Sequence, residues 1–299
     1  MNEIAPDPGA PGTTPRFPLV FAAERAPGPD RMPARRLFSP ERSPPFDPFL
    51  YFVHFGPRDV RQTDWGFPAH PHKGFETITY MLEGQLEHYD SAGGHAVLEP
   101  GDVQWVTAGA GIVHSEIPPD AFKTAGGTVD GFQIWLNLAR KDKAATPGYQ
   151  MLQAAEMPRV EPSEGVTLRI IGGTASGAES PVAMLTPISL IHARIAPGAI
   201  WRHTPVVGHN PFVYVFGGAC EIAIAGGKAA ARDGQAALLG IDPGALTITA
   251  APDSATDLLY LAGAPIREPI AAYGPFVMTT REEIVEAIEA YNSGRMGTL

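Results

Sequence analysis

Short strand-like runs separated by turn sequences make up most of the chain after Phe49. The clearest runs in the first half are residues 50–53, 76–82 and 103–106. The turns between them include Glu83-Gly84, Gly93-Gly94 and Pro100-Gly101-Asp102. Gly-Gly and Pro-Gly-Asp mark turns, and strands at this close spacing are typical of an antiparallel sandwich or barrel. The pattern therefore predicts an all-β fold built from many short strands.

The second half of the chain carries a weaker copy of this pattern. Its runs and turns follow in the order 211–215, Gly217-Gly218, 219–225, Gly226-Gly227 and Asp233-Gly234. The first half has the same order between Glu76 and Asp102. A repeated order of this kind indicates a diverged internal duplication. We expect the boundary between about residues 140 and 165, where a charged run and several prolines interrupt the pattern.

Residues 280–291 form the best predicted helix of the chain. Thr279 or Thr280 is suited to be its N-cap, and acidic residues follow in the first turn. On a helix, Ile284, Ile288 and Tyr291 would lie on one face.

Composition narrows the class of protein. A length of 299 residues is enough for two domains, and 44% hydrophobic with 18% charged residues is typical of a globular chain. The net charge of −10 disfavours a nucleic-acid surface, which needs clustered lysine and arginine. The single cysteine, Cys220, excludes an intrachain disulfide, and no apolar stretch approaches the length of a membrane span. Residues 1–16 resemble a flexible tail. We expect a cytoplasmic protein, or a nuclear one in a eukaryote, with no membrane and no direct nucleic-acid contact.

Two triplets carry the candidate chemistry, His70-Pro71-His72 and His114-Ser115-Glu116. In a β-strand, residues i and i+2 share one face, so each triplet would present two metal-binding side chains together. Two such strands can converge on one ion, with His70, His72, His114 and Glu116 as donors. Nitrogen and oxygen donors without thiolate suit a divalent transition metal. The alternative is that these are exposed or hydrogen-bonded histidines.

The motifs around these triplets closely resemble those of the pirin family of bicupins. They are His70 to Tyr80 (HPHKGFETITY), Glu83-Gly84, Pro100 to Gly109 (PGDVQWVTAG) and Gly111 to Glu116 (GIVHSE). Upstream Asp47-Pro48-Phe49 and His54-Phe55-Gly56-Pro57, and downstream Gly274 to Met278 with Thr280 to Ile284, match the same family. The resemblance covers nearly the whole chain after residue 35.

The resemblance implies two cupin, jelly-roll-like β-barrels in tandem with a short C-terminal helix. It also implies one metal ion, held by His70, His72, His114 and Glu116, the four residues that strand alternation selects. Iron(II) is the first choice, with manganese, nickel, cobalt, copper and zinc as alternatives. We expect a tail and first strand at 1–35, a metal-binding cupin domain at 36–150, and a degenerate, metal-free cupin domain at 151–299.

Glu76 is the rival carboxylate, because typical cupins use a glutamate a few residues after the His-x-His pair. It shares a face with His72 only if Lys73-Gly74 continues a regular strand, and glycine there can mark a bulge. The alternative role for Glu76 is to accept a hydrogen bond that orients a ligand. Glu116 and Glu76 are the candidate catalytic carboxylates.

The remaining histidines carry weaker signals. His54 either lines the site or packs in the core, and His88 and His95 flank a turn where we expect them to be solvated. His192, His203 and His209 belong to the second half, which has no His-x-His pair. Five aromatic residues are candidates for the core or for the wall of a pocket for a planar ligand: Phe52, Phe67, Trp105, Phe132 and Trp135.

Two functions are compatible with this site. Some pirins are similar to flavonol dioxygenases, so the first hypothesis is a quercetinase-type enzyme that opens flavonols such as quercetin with O2. Its partners would be a small planar phenolic substrate and O2. The second hypothesis is a metal-containing regulator that binds a transcription factor or a metabolic enzyme, as other pirin relatives do.

Overall fold

A computed structural model describes residues 17–27, 33–60 and 66–299 of the chain. The predicted tail at 1–16 lies outside the described residues. Strands dominate the described part, with two α-helices, Asp120–Ala125 (α1) and Arg281–Asn292 (α2). The all-β expectation is therefore confirmed. Neither described helix is long and apolar enough to cross a bilayer.

The strands of the chain, in order, begin with these twelve: β1 (Leu19–Ala22), β2 (Glu24–Pro27), β3 (Pro33–Phe38), β4 (Phe49–Asp59), β5 (Phe67–His72), β6 (Phe75–Glu83), β7 (Leu86–Asp90), β8 (His95–Leu98), β9 (Val103–Thr107), β10 (Ile112–Ile117), β11 (Thr128–Asn137) and β12 (Gly148–Leu152). The rest are β13 (Arg159–Ser163), β14 (Val166–Gly172), β15 (Thr174–Ala175), β16 (Ala178–Glu179), β17 (Ile188–Ile195), β18 (Ile200–His203), β19 (Phe212–Gly217), β20 (Ala219–Ile224), β21 (Gly227–Arg232), β22 (Gln235–Leu238), β23 (Leu246–Ala250), β24 (Thr256–Gly263), β25 (Ala271–Tyr273) and β26 (Phe276–Met278).

The chain divides into two compact units. The first unit comprises Arg25–Pro44, Pro48–Glu156 and Ile266–Leu299. Its larger sheet has the order β12-β9-β6-β11-β4-β3-β2, and its smaller sheet has the order β5-β10-β7-β8. Pairing is antiparallel throughout the large sheet's central strands, so successive side chains point alternately to its two faces.

The second unit contains the described residues before Arg25, Pro45–Asp47 and Met157–Pro265. Its sheets have the orders β1-β22-β19-β24-β17-β14-β13 and β18-β23-β20-β21. In each unit a seven-stranded sheet accompanies a four-stranded one, and β19 to β24 repeat the arrangement of β6 to β11. This correspondence supports the predicted internal duplication. The core of the second unit is apolar and includes Trp201, Cys220 and Tyr260.

The units depart from the predicted boundaries at both ends of the chain. Strand β1 pairs with β22 of the second unit, although residues 1–35 were expected to precede the first domain. Residues Ile266–Leu299, expected to close the second domain, belong to the first unit. The physical reason is long-range packing, because Phe276 bridges Lys73 and helix α2 packs beside Val113. Along the sequence, the chain passes from the first unit to the second between Glu156 and Met157, which lies within the expected 140–165 region.

Helix α2 begins after Thr280, which is its N-cap. The Thr280 hydroxyl accepts from the Glu283 backbone N–H at 3.2 Å, and the Glu283 carboxylate accepts from the Thr280 N–H at 3.1 Å. This reciprocal pair is a capping box. The buried residues of the helix are Ile284, Ala287 and Ala290, and Ile288 is partly buried beside them. Tyr291, which the sequence analysis placed on one face with Ile284 and Ile288, is exposed.

Candidate metal centre

Three histidines converge between two neighbouring strands of the smaller sheet. Strand β5 pairs antiparallel with β10, which sets His70 directly opposite His114. His72 follows two residues after His70 and therefore points to the same face. The Nε2 atom of His70 lies 3.0 Å from that of His72 and 3.0 Å from that of His114. These three residues form a group able to hold a metal ion.

The outer nitrogens of two of these rings face backbone carbonyls. His70 Nδ1 lies 2.8 Å from the Pro68 oxygen, and His72 Nδ1 lies 3.2 Å from the Pro275 oxygen. A carbonyl oxygen only accepts, so each Nδ1 carries the proton of its neutral ring. Each Nε2 then presents a lone pair toward the others. Converging lone pairs do not hydrogen-bond to one another, whereas a cation satisfies all of them.

Burial keeps these rings neutral. Desolvation lowers the pKa of His70, and it lowers the pKa values of His72 and His114 well below the ordinary 6.5. Repulsion between the neighbouring rings lowers the pKa values of His72 and His114 further. A neutral imidazole is the form that ligates a metal.

The spacing of the donors suits one transition ion. Two nitrogens about 2.1 Å from one ion and at right angles to each other would lie about 3.0 Å apart. The two separations measured from His70 Nε2 are both 3.0 Å. Imidazole donors with carbonyl partners behind them are also the usual arrangement of metal-binding histidines. The residues present therefore fit a divalent transition metal.

Glu116 lies on the same strand as His114, two residues further along, and is buried. Its Oε1 accepts hydrogen bonds from the Thr79 hydroxyl at 2.8 Å and from the Gln104 amide. Its Oε2 accepts from the Gln133 amide at 3.0 Å. Burial raises the pKa of this carboxyl to about 7, against the opposing effect of these hydrogen bonds. Protein donors therefore hold the Glu116 carboxyl, and among the described residues the converging group consists of the three histidines without Glu116.

Glu76 lies on the opposite face of the large sheet from this network. Strand β6 pairs with β9 without interruption from Glu76 to Tyr80, so Glu76 and Thr79 point in opposite directions. The Glu76 Oε1 accepts from the Thr107 hydroxyl at 2.7 Å. Burial raises the pKa of this carboxyl to about 7 as well. The two candidate carboxylates are therefore not brought together, because regular strand geometry after Gly74 turns Glu76 away from the histidines.

His88 is buried, so the expectation that it is solvated is wrong. Its Nε2 lies 2.9 Å from the Asp90 carboxylate, and its ring stacks on Tyr149 with centroids 4.5 Å apart. The His88 ring also lies 5.5 Å from the His114 ring, and His88 pairs directly with Glu116 across β7 and β10, on the sheet face that carries both residues. The turn that follows β7 is exposed, but His88 lies within β7, which pairs with β10, and its ring is covered by Tyr149. His95 is exposed, as expected.

His54 belongs to the packed core of the first unit. Its Nε2 lies 2.8 Å from the Asp130 carboxylate, and its ring lies 4.5 Å from that of Phe132. Phe132 pairs with Tyr80, on the Glu76 face of the sheet. Of the two roles that the sequence left open for His54, the structure favours packing.

Two of the candidate pocket aromatics stand beside the histidines. The Trp135 ring lies 5.2 Å from His72, and the Phe67 ring lies 6.5 Å from His70. Phe75, which the sequence did not single out, lies 5.0 Å from His72. Phe52, Trp105 and Phe132 are instead fully buried core residues.

Sequence reasoning missed the three residues that hold the Glu116 carboxyl. Thr79 is paired directly with Gln104 on one side and with Gln133 on the other, which forms a polar row across three strands. All three are buried. The available signal was a glutamine flanked by apolar residues in Val103-Gln104-Trp105 and in Phe132-Gln133-Ile134, since a buried amide requires partners.

Comparison with known proteins gives the same assignment for both halves of the chain. Residues 31–136 match the family profile described as Pirin, and residues 190–297 match the profile described as Pirin C-terminal cupin domain. A Pseudomonas aeruginosa protein named "Putative quercetin 2,3-dioxygenase" is 39% identical over 270 residues, which cover 89% of this chain and 92% of that protein. Human Pirin is 35% identical over 280 residues, which cover 93% and 92%.

The fold is also similar to that of a solved structure. The crystal structure of a quercetin 2,3-dioxygenase from Acinetobacter baumannii superposes with a TM-score of 0.85 at 32% identity, covering 95% of this chain and 98% of that one. Similarity therefore extends over nearly the full length, in sequence and in fold.

Proposed function

The chain belongs to the pirin family, with two cupin domains in tandem, and on that premise we propose that it is a metal-dependent dioxygenase that opens flavonols such as quercetin with O2. The observation that carries the proposal is the convergence of three neutral histidines through their Nε2 atoms. The names of the Pseudomonas aeruginosa relative and of the Acinetobacter baumannii structure support the same reaction class.

His70, His72 and His114 would hold the ion, and Glu116 is the proposed fourth donor on the same strand face. Iron(II) is the first choice of metal, and manganese, nickel, cobalt, copper or zinc are the alternatives. When bound, such an ion supplies a Lewis acid and a template that brings an ionised phenol and O2 together. Four protein donors would leave about two positions open for the phenol and O2 on an ion that prefers six ligands.

Glu116 is the proposed general base. Its carboxylate can take the 3-hydroxyl proton of a flavonol onto one oxygen. Thr79, Gln104 and Gln133 all donate to it, which stabilises the ionised form and fixes its orientation. Trp135 and Phe67, beside the histidine rings, are suited to flank a planar substrate.

The test is aerobic loss of the flavonol absorbance when quercetin is mixed with metal-loaded protein. His70→Ala and His114→Ala should abolish the loss, whereas His95→Ala, at an exposed position away from the group, should retain it. A flavone without the 3-hydroxyl should be inert, because the proposed base then has no enolic proton to remove. If wild-type and His114→Ala proteins consume quercetin equally, the loss is background autoxidation and the enzyme proposal is wrong.

The alternative proposal is a metal-containing regulator that binds a transcription factor or a metabolic enzyme. An exposed apolar surface of the second unit favours it. Val207 and Ile241 are 85% and 48% exposed, and their loops are joined by the Gly208 N–H, which donates to Asp242 at 2.6 Å. Absence of turnover, together with a stable protein partner lost on Val207→Asp, would support the regulator over the enzyme.

A further inference from the structure

The C-terminal segment of the chain reaches the metal-binding group at His72. The Pro275 carbonyl is the oxygen that faces His72 Nδ1 at 3.2 Å. Two residues later, the Val277 N–H donates to the Lys73 carbonyl at 3.1 Å. The segment therefore lies along the end of β5, and it supplies the group that fixes the ring orientation of one ligand.

Lys143 anchors this segment from the other side. Its ammonium donates to the Val277 carbonyl at 3.1 Å, to the Gly74 carbonyl at 2.8 Å and to the Asn137 side-chain oxygen at 2.7 Å. Lys143 is only 3% exposed, so three donors and three acceptors are matched inside the protein. One side chain thereby joins the C-terminal segment to the beginning of β6 and to the end of β11.

Gly74 makes this close approach possible. Its φ is +90°, and a Cβ atom there would stand 2.1 Å from the Val277 carbonyl oxygen. A side chain at this position would push the C-terminal segment away from His72. The glycine that follows the His-x-His pair thus serves the contact between two distant parts of the chain.

The same segment also reaches the strand that carries His114. Val113, immediately before that ligand, packs in one buried cluster with Phe276, Ile284 and Met296. The Ser91 hydroxyl donates to the Met296 carbonyl at 2.7 Å and accepts from the Val113 N–H at 3.0 Å. Residues 275–296 therefore touch both ligand-bearing strands on the side away from the converging nitrogens.

We propose that residues 275–296 act as a clamp that holds His72 and His114 in their metal-binding positions, and that Lys143 is the positioning residue that anchors it. The proposal rests on the metal centre proposed above and is independent of the substrate. Partners behind metal-binding histidines typically change metal affinity by 10- to 100-fold when they are removed. In this proposal, the partner that orients His72 comes from a segment about 200 residues away in sequence.

The test substitutes Lys143→Met, which removes the three hydrogen bonds and keeps most of the aliphatic stem. Lys141→Met is the matched control, since that side chain is 82% exposed and lies two residues away. Competition with a chelator should show at least a tenfold loss of zinc or iron(II) affinity for Lys143→Met and less than a twofold change for the control. In the metal-free protein, the imidazole ¹⁵N spectrum should show the His72 Nδ1 proton weakened or lost in Lys143→Met only.

A folded Lys143→Met protein with wild-type metal affinity and an unchanged His72 signal would overturn the clamp, even if its melting temperature fell. If that variant does not fold, Ser91→Ala decides, because it removes only the two hydrogen bonds of the hydroxyl, to the Met296 carbonyl and from the Val113 N–H. Ser91→Ala should lower metal affinity at least threefold, and unchanged affinity would overturn the proposal. Failure of wild-type protein to bind metal would instead contradict the metal centre, and failure to consume quercetin would contradict only the enzyme proposal.

Discussion

Glu76→Gln should stabilise the protein at high pH and leave it unchanged at low pH. The Glu76 carboxyl is fully buried on the face of the large sheet opposite the histidines. Thr107 donates to its Oε1, and its Oε2 has no hydrogen-bond partner among the described residues. Burial therefore disfavours the ionised form and raises the pKa of Glu76 from an ordinary 4.5 to about 7. A glutamine keeps the acceptor for Thr107 and carries no charge at any pH.

The size and sign of the effect follow from proton linkage. The folded state holds a proton on Glu76 up to about pH 7, whereas the unfolded state loses it near pH 4.5. Between these values the folded state binds more protons, so the free energy of unfolding falls as pH rises. Each pKa unit corresponds to about 1.4 kcal/mol, so the full loss is about 3 kcal/mol. Most of it, about 2.5 kcal/mol, falls between pH 5 and pH 8.

The assay is urea unfolding of metal-free wild-type and Glu76→Gln proteins at several pH values from 4.5 to 8. The quantity of interest is the difference in unfolding free energy between the two proteins, because Glu116 titrates in both and cancels. The difference should be near zero at pH 4.5 and should favour the variant by about 2 to 3 kcal/mol at pH 8. Glu161→Gln, on an exposed strand position, is the control for the substitution itself. A difference that does not change with pH would refute the assignment of a buried, proton-holding Glu76.

Three further predictions concern the metal centre and the helix. Elemental analysis of reconstituted protein should give about one equivalent of metal per chain, because the paired donors lie in the first unit, and two tightly held equivalents would contradict this. Chelator competition should show that Glu116→Ala loses metal affinity much more than Glu76→Ala, and the reverse order would indicate the ordinary cupin arrangement. Thr280→Ala should lower the unfolding free energy by about 1 kcal/mol through loss of the capping box, and Thr280→Ser should retain it, as thermal unfolding would measure. Equal unfolding free energies for the Thr280→Ala and Thr280→Ser proteins would contradict a stabilising role of the capping box.

The sequence alone could predict the histidine group because that group depends on local geometry. Two residues at i and i+2 share a strand face whatever the surroundings, and the triplets at His70 and His114 are enough to select three converging rings. The same alternation left Glu76 open, since a glycine between it and His72 can shift the register. The structure resolves that point, because β5 ends at His72 and β6 begins at Phe75, with Gly74 at a φ of +90° between them.

The features that sequence could not supply all depend on long-range pairing. The hydrogen bonds to Glu116 come from three strands whose register is fixed only in the folded sheet. The burial of His88 depends on Tyr149, about sixty residues away. Residues 266–299 belong to the first unit, and the bridge between Lys73 and Phe276 contributes to this. No local sequence pattern predicts that bridge.

The alternation of side chains along β6 has a consequence for how this chain tolerates mutation. Phe75 contacts a histidine and Thr79 contacts Glu116, while Glu76 and Tyr80 point to the opposite, packed face. A saturation scan of residues 75–80 should therefore give two interleaved classes with a period of two. Odd positions, which are buried as well, would lose metal binding in addition to abundance, whereas even positions would lose abundance at nearly normal specific activity. All of these residues are buried, so selection for stability acts along the whole strand, and selection for chemistry is added at every second residue.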